Sequence, residues 1–420
     1  MSISTRLINL RNLEGGSISI SIENGYFTNS NNLPSNEEDC SGLTIIPGLV
    51  DLHTHLREPG FEDDETILTG SQAAAAGGFT AVSAMPNTDP IADTAGVVEQ
   101  IYRLGQTHGI CDVFPIGAIT VGSRGEQLAE IRAMNMSAAQ TRIFSDDGNC
   151  LSSAILMRRA LEYVKSFDGV IAQHAQDPEL TVDSQVNEGV ISSRLGLKGW
   201  PAVAEEAIIA RDVLLAEHVK SRLHICHVST AGSVEIIRWA KARGIQVTAE
   251  VTPHHLLLTE DLVENYDPLF KVNPPLRTQR DVEALRSALA DGTIDVIATD
   301  HAPHPIERKE CEWANAAFGM LGLESALSVS FKAMVESKLI SLPELIEKMS
   351  VRPAEIAGYK DHGSIEVGKP ANFTLVNFEK NWISKPRMSK SSNDPYLGMT
   401  LPAVVQATYL RGRKVYSRNG

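Results

Sequence analysis

The sequence predicts an α/β fold: a (β/α)8 barrel of the TIM type carrying a small β-sandwich formed by both termini. Three observations predict it. A chain of 420 residues exceeds one ordinary domain and suffices for a large core. Eight apolar, β-branched runs alternate with longer segments rich in Ala, Leu, Glu and Arg, the pattern of repeated strand–helix units. The two ends instead alternate in short β-like pieces.

Taken in order, residues 1–46 open the chain with pieces such as SISISIENGYFT, interrupted by the Ser/Asn-rich stretch Thr28–Glu38, which reads as a surface loop. The barrel occupies 47–362. Its candidate strands are Thr44–Leu52, Phe79–Met85, Asp112–Ala118, Thr141–Phe144, Gly169–Gln173, Arg222–Val228, Gln246–Val251 and Asp295–Thr299. Between them, stretches such as Ser152–Ser166 and Ala202–Val219 are amphipathic helices. Gly77–Gly78 marks a helix-to-strand turn, since no phosphate-loop motif accompanies it. Residues 363–420 return to short alternation in GSIEVGKPANFTLVNF and AVVQATYLRGRKVYS, and pair with 1–46.

Composition narrows the function. The net charge is -14 and the pI about 5.4, which argues against non-specific nucleic-acid binding and against an anionic membrane face. An anionic small substrate needs only a local basic patch. Five scattered cysteines without a C-x-x-C read as reduced thiols of a cytoplasmic enzyme. The first residues lack a signal-peptide pattern, and no apolar run is long enough to span a bilayer.

The chemistry lies at the strand ends. LVDLHTHLREPG places His53 and His55 two apart, so both aim to one side of a strand. Later strands end at Asp146–Asp147, at His174, at His224–Cys226–His227 and at Asp300–His301. In a β/α barrel these ends converge on one mouth. Imidazoles and carboxylates without clustered thiolates suit zinc or another divalent first-row metal. Such a metal activates water and polarises a carbonyl, and a carboxylate such as Asp300 moves protons during hydrolysis of an amide-like bond.

These motifs resemble those of the dihydroorotases of the amidohydrolase superfamily, in their longer (class I) type. DLHTHLREPG (51–60) is similar to the first family signature and ATDHAPHPIERK (298–309) to the second. MPNT, SDDG, HVST, TPHH and VNPPLR stand between them in family order. The resemblance implies one or two Zn2+ per chain. His53, His55 and Asp300 would hold the first metal, His174 and His227 the second, with Asp147 touching both. Asp147 is preferred to Asp146 on the alignment of the DDG step. Asp300 would also serve as general acid/base, Arg57, Asn87 and His304 would clasp a substrate carboxylate, and Asn273 would meet the pyrimidine ring edge.

The implied reaction is the reversible hydrolysis of (S)-dihydroorotate to N-carbamoyl-L-aspartate in pyrimidine biosynthesis. Many binuclear relatives, hydantoinases included, bridge their metals with a carboxylated lysine; here Asp147 stands at that strand end. Two rivals are another cyclic amidase, acting on allantoin or a hydantoin, and a non-catalytic partner of aspartate transcarbamoylase. A homodimer and a complex with that transcarbamoylase are the assemblies the resemblance leaves open. Other polar residues have plainer readings. His224 faces away from His227, His254 and His255 serve packing, His301 braces its loop, and Cys226 is a buried apolar side chain. Lys309 is either a solvated loop charge or a site group, and Asp51 either an orienter of His53 or a strand-end cap.

Overall fold

The computed structural model describes residues 4–29, 34, 36–385 and 388–418. All eight expected barrel runs are strands, most of them shorter than their apolar runs. Leu49–Thr54, Phe79–Ala84 and Asp112–Pro115 pair in parallel. Ile143–Phe144, Val170–Gln173, Arg222–Ile225, Val247–Val251 and Val296–Ile297 form a second parallel series. Parallel bridges from Gly117 to Phe144 and from Thr54 to His301 join the two series into a closed ring. Short strands suffice because the ring buries both faces, so the runs are mostly apolar, with Asp51, His53, His224 and Glu250 among the buried exceptions.

Helices follow the strands and cover the ring. Ala154–Lys165 begins at Ser153, whose hydroxyl accepts from the Leu156 N–H, and Val203–Val219 carries Glu205 and Glu206 in its first turn. Both match the expected helices to within two residues. Their buried faces share one core with the outward side of the strands, through residues such as Leu161, Ile209, Ile225 and Leu285. Inside the ring, Leu52, Ile116, Val170 and Val296 pack together with Ile356 and Ala357. The helix Arg352–Ala357 thus plugs the barrel bottom, away from the strand ends that carry the polar residues.

The first expected strand, Thr44–Leu52, is two strands in different sheets. Thr44–Pro47 pairs antiparallel with Phe373–Ile383, and Leu49–Thr54 enters the barrel. Gly48 lies between them where a Cβ would come within 2.2 Å of Thr80 Cγ2, so the crossing has room for hydrogen alone. A continuous apolar run hides such a hand-over, because both sheets demand apolar residues.

Both chain ends build one eight-stranded sheet. It takes Ser4–Arg11, Ser17–Glu23, Tyr26–Thr28, Asn36–Asp39 and Thr44–Pro47 from one end, and Phe373–Ile383, Thr400–Leu410 and Arg413–Ser417 from the other. Its edge folds back: Tyr26 bridges Pro370, and the Phe27 and Phe373 rings lie 5.7 Å apart. Leu7, Leu10, Ile45, Phe373, Leu375 and Tyr409 share the core of this sandwich. The expected loop Thr28–Glu38 is corrected in part. Residues 30–33 and 35 lie outside the described residues, while Asn36–Asp39 is a strand parallel to Ser4–Arg11. Polar side chains on an edge strand read as loop in sequence, since what holds them there is backbone pairing and contacts with distant residues such as Lys414 with Glu38.

Candidate metal centre

The strand Leu49–Thr54 is not regular. Against its neighbour, Asp51 pairs with Val82 but Thr54 with Ala84, three residues against two. The bulge re-aims the side chains that follow. Leu52 packs inside the barrel, while His53 and His55 reach the mouth with their rings 5.4 Å apart. Asp51 holds this turn: its carboxylate accepts the backbone N–H groups of His53, at 3.0 Å, and Thr299, at 3.1 Å, tying the first and last strands together. Burial pushes the Asp51 carboxyl up to about 7, although these donors oppose the rise.

Asp147 sits at the centre of the cluster. One of its oxygens faces His53 Nε2 at 3.4 Å and His55 Nε2 at 3.5 Å. The other faces His174 Nδ1 at 3.2 Å and His227 Nε2 at 3.4 Å. Asp300 Oδ1 lies 3.0 Å from His55 Nε2 and 3.5 Å from His53 Nε2. The expected ligands from five strands therefore meet, and none is more than 5 % exposed. Asp146 is occupied elsewhere, accepting from the Ile119 and Thr120 N–H groups and from the Thr120 hydroxyl. His227 has φ 30°, Asp300 φ 48° and Arg57 φ 65°, left-handed backbone that L-residues adopt at a cost. Three such residues in one cluster indicate that side-chain placement overrides local backbone preference.

Do these residues fit a cation? His53 Nδ1 is 2.6 Å from Glu250, so its N–H points there and Nε2 presents a lone pair inward. Buried, that Nε2 has no hydrogen-bond partner. His55 is set the same way by Asn87 Oδ1, 3.0 Å from its Nδ1. Ring nitrogens and carboxylate oxygens converge on one centre, with His227 Nε2 only 2.8 Å from His174 Nδ1 and His55 Nε2 3.0 Å from Asp300 Oδ1, the donor set a metal requires. The electrostatics agree. Burial lowers the His53 pKa, but the charges of Asp147, Glu250 and Asp300 outweigh it and drive it well up. Burial raises the Asp300 carboxyl, yet His53, His55 and His227 hold it below the usual carboxylate range. The cluster favours positive charge at its centre.

The residues expected to clasp a carboxylate border this cluster. Asn87 turns its oxygen to His55, which leaves its amide N–H2 free to donate. Arg57 Nε donates to the Pro303 carbonyl at 3.3 Å, beside His304. His304 gives its Nε2–H to the Phe318 carbonyl at 2.8 Å, and its buried Nδ1 has no hydrogen-bond partner, the Asp64 carboxylate lying 3.8 Å away. Burial, then the nearby Arg57 charge, pushes His304 down to about 3. It therefore presents a lone pair, and donates to a carboxylate only once protonated. Asn273 donates to Gln176 Oε1 at 3.1 Å, and its buried oxygen is unpartnered.

Sequence reasoning missed three residues here. Glu250 orients His53. Gln176 accepts from His174 Nε2 at 2.7 Å as well as from Asn273. Asn393 accepts the His304 N–H and donates to the Ala302 and Gly319 carbonyls. Glu250 and Asn393 act on partners far away in sequence, and Gln176, two residues after His174, forms no recognisable ligand motif with it, so spacing carries little signal for them. The plainer readings stand as expected for His224, bonded to Glu250 and Thr248, for His255, held by Thr252 and the Pro274 carbonyl, and for His301 beside Glu65. Lys309 fits neither expectation. It is buried, and its ammonium donates to the carbonyls of Lys271, Ala317 and Gly319.

Comparison with known proteins identifies the family. A family model described as dihydro-orotase-like matches residues 42–233. The chain is 63% identical over 378 residues to the dihydroorotase of Streptomyces coelicolor, covering 89% of this chain and 88% of that protein. It is 53% identical over 385 residues to the dihydroorotase of Mycobacterium tuberculosis, covering 91% and 89%. Among solved structures, L-hydantoinase (dihydropyrimidinase) from Arthrobacter aurescens superposes with a TM-score of 0.87 at 25% identity, covering 99% of this chain and 96% of that one. A D-hydantoinase superposes with a TM-score of 0.85 at 22% identity, covering 98% and 95%, and shares the barrel-and-sandwich fold. With such identity along nearly the whole of both sequences, the chain belongs to the dihydroorotase family of cyclic amidohydrolases.

Proposed function

We propose that this enzyme catalyses the reversible hydrolysis of (S)-dihydroorotate to N-carbamoyl-L-aspartate, with Zn2+ held by the histidine–aspartate cluster. One observation carries the reading: the two oxygens of Asp147 each face a separate pair of imidazoles. His53, His55 and Asp300 would hold one ion, His174 and His227 a second, and Asp147 would serve both. Bound there, zinc supplies water of lowered pKa and polarises the ring carbonyl.

The remaining work falls to the side chains. Arg57 and Asn87 bind the substrate carboxylate, and His304 joins them as a donor when an anion compensates its protonation. Asn273 turns its unpartnered oxygen to the ring N–H. Asp300 accepts the proton of the attacking water and passes it to the departing ring nitrogen; ring closure reverses both transfers. The buried site excludes bulk water, which strengthens each of these interactions.

A hydantoinase-like specificity is disfavoured because a cationic clasp expects a carboxylate that hydantoin and allantoin lack. A purely structural role alongside aspartate transcarbamoylase is disfavoured because every proposed ligand is present and convergent. Scattered, unpaired cysteines support a cytoplasmic location, and among the described residues no helix is long and apolar enough to cross a membrane. Homodimer and transcarbamoylase complex both remain compatible with this reading. Initial rates on dihydroorotate, hydantoin and allantoin test it. The expected kcat/KM for dihydroorotate exceeds the others by at least about 100-fold. Equal or faster turnover of hydantoin would overturn the assignment.

A further inference from the structure

We infer that Glu250 is a positioning residue that fixes both halves of the metal centre from behind, and that its charge sets how tightly the centre holds a cation. The inference rests on the reading of the His–Asp cluster as a metal site. Three contacts support it. Glu250 Oε1 lies 2.6 Å from His53 Nδ1, which fixes the tautomer that leaves Nε2 bare. The same oxygen accepts the backbone N–H of His227 at 3.2 Å. His227 is the imidazole on the opposite side of Asp147, and its φ of 30° is a conformation it does not take freely. The second oxygen lies 3.0 Å from His224 Nε2, and His224 is held in turn by Thr248 at 2.8 Å.

One buried carboxylate thus touches a residue from each side of Asp147 and is braced by a third histidine outside the site. Glu250 is 1 % exposed and stands on the strand Val247–Val251, next to the strand that carries His224. A rigid strand gives it little freedom to yield. An anion on the far nitrogen of a ligand imidazole raises that ligand's basicity and holds its ring in line, so its removal weakens metal binding even when every ligand remains. This also gives His224 a purpose: without it the outer oxygen of a buried carboxylate would lack a partner.

Glu250→Gln tests charge separately from shape. The amide can still accept from His53 and the His227 N–H, and it can donate to His224 if that ring adopts the other tautomer. Full-length protein stripped with chelator is titrated with Co2+, reading the dissociation constant, the stoichiometry and the visible absorption of the bound ion. The metal-free melting temperature reports the fold independently. We expect a metal-free melting temperature close to wild type, Co2+ binding about 10- to 100-fold weaker, and an altered absorption band. Wild-type affinity and an unchanged band in folded E250Q would overturn the role of Glu250. If E250Q does not fold, His224→Gln loosens the same carboxylate from outside; a several-fold loss of Co2+ affinity supports the role and no loss overturns it. If the wild-type protein itself takes up no Co2+, the metal-centre reading fails first and this inference with it.

Discussion

At Asp300 the backbone and the carboxylate make separate demands, and one substitution separates them. Its φ of 48° is left-handed, a region that Asn tolerates as well as Asp. Asp300→Asn should therefore fold and retain metal through His53, His55 and Asp147. It should lose turnover by about 10²–10⁴-fold, because the amide cannot take up the proton. Unchanged kcat in that variant would remove Asp300 from proton transfer. His304 behaves differently. Its imidazole is neutral near pH 7 in the ligand-free protein, so it contributes after an anion arrives. His304→Ala should raise KM for dihydroorotate by about tenfold or more, the worth of one charge-assisted hydrogen bond, with a smaller effect on kcat. An unchanged KM would exclude it from the clasp. The proposed ligand residues were legible in the sequence because each ends a strand, all but His174 inside a recognisable motif. Glu250 was not, because a residue that acts through a partner distant in sequence leaves no local pattern, and Gln176 was not, because a glutamine two residues after His174 matches no ligand motif.

At the scale of elements, the segment from Pro303 to Gly319 follows the strand end that carries Asp300 and is pinned by two buried lysine side chains. Lys309 donates to three carbonyls, and Lys271 to the carbonyls of Trp313 and Ala314 while facing the Phe318 ring at 4.5 Å. Burial, reinforced by the Lys271 charge, pushes Lys309 down to about 7. A lysine in the unfolded chain titrates near 10.4. Between these values the unfolded chain binds more protons, so this residue makes stability rise with pH across the interval. Urea midpoints at pH 7 and pH 9 should show a smaller gain for Lys309→Met than for wild type. An equal gain would contradict the shift. Backbone contact decides another position. A Cβ on Gly77 would lie 2.0 Å from the Leu323 carbonyl oxygen, so Gly77→Ala should cost about 1–3 kcal/mol, measured by urea unfolding. An unchanged midpoint would show that the turn at Leu323 yields. The Gly77–Gly78 turn could be read from sequence, since Gly78 has φ 93°. The bulge between Asp51 and Thr54 could not, because an extra residue in one strand is defined only against its neighbour.

For the whole molecule, alternation of apolar runs was enough to show the barrel and the sandwich, because each layer imposes its own period on the chain. What alternation could not show was where one sheet hands over to another. Pro47, Gly48 and Leu49 continue an apolar run while the partner strand changes from Phe373–Ile383 to Phe79–Ala84. The small parallel pair Val186–Asn187 and Gly199–Trp200 escaped for a related reason. It is held by the buried Arg277, whose guanidinium donates to Asn187 Oδ1 and the Trp200 carbonyl, a contact between distant segments. Arg277 belongs to the VNPPLR motif, so part of that motif builds the wall beside the site while Asn273 faces into it. Under the proposed function, imidazoles and carboxylates from five strands act together only with a cation at their centre. The most direct measurement is ring opening of dihydroorotate by the purified protein, before chelation, after chelation to a metal content near zero, and after return of Zn2+. The account predicts activity, its loss to background, and its recovery with zinc; full turnover in protein shown to be metal-free would contradict it.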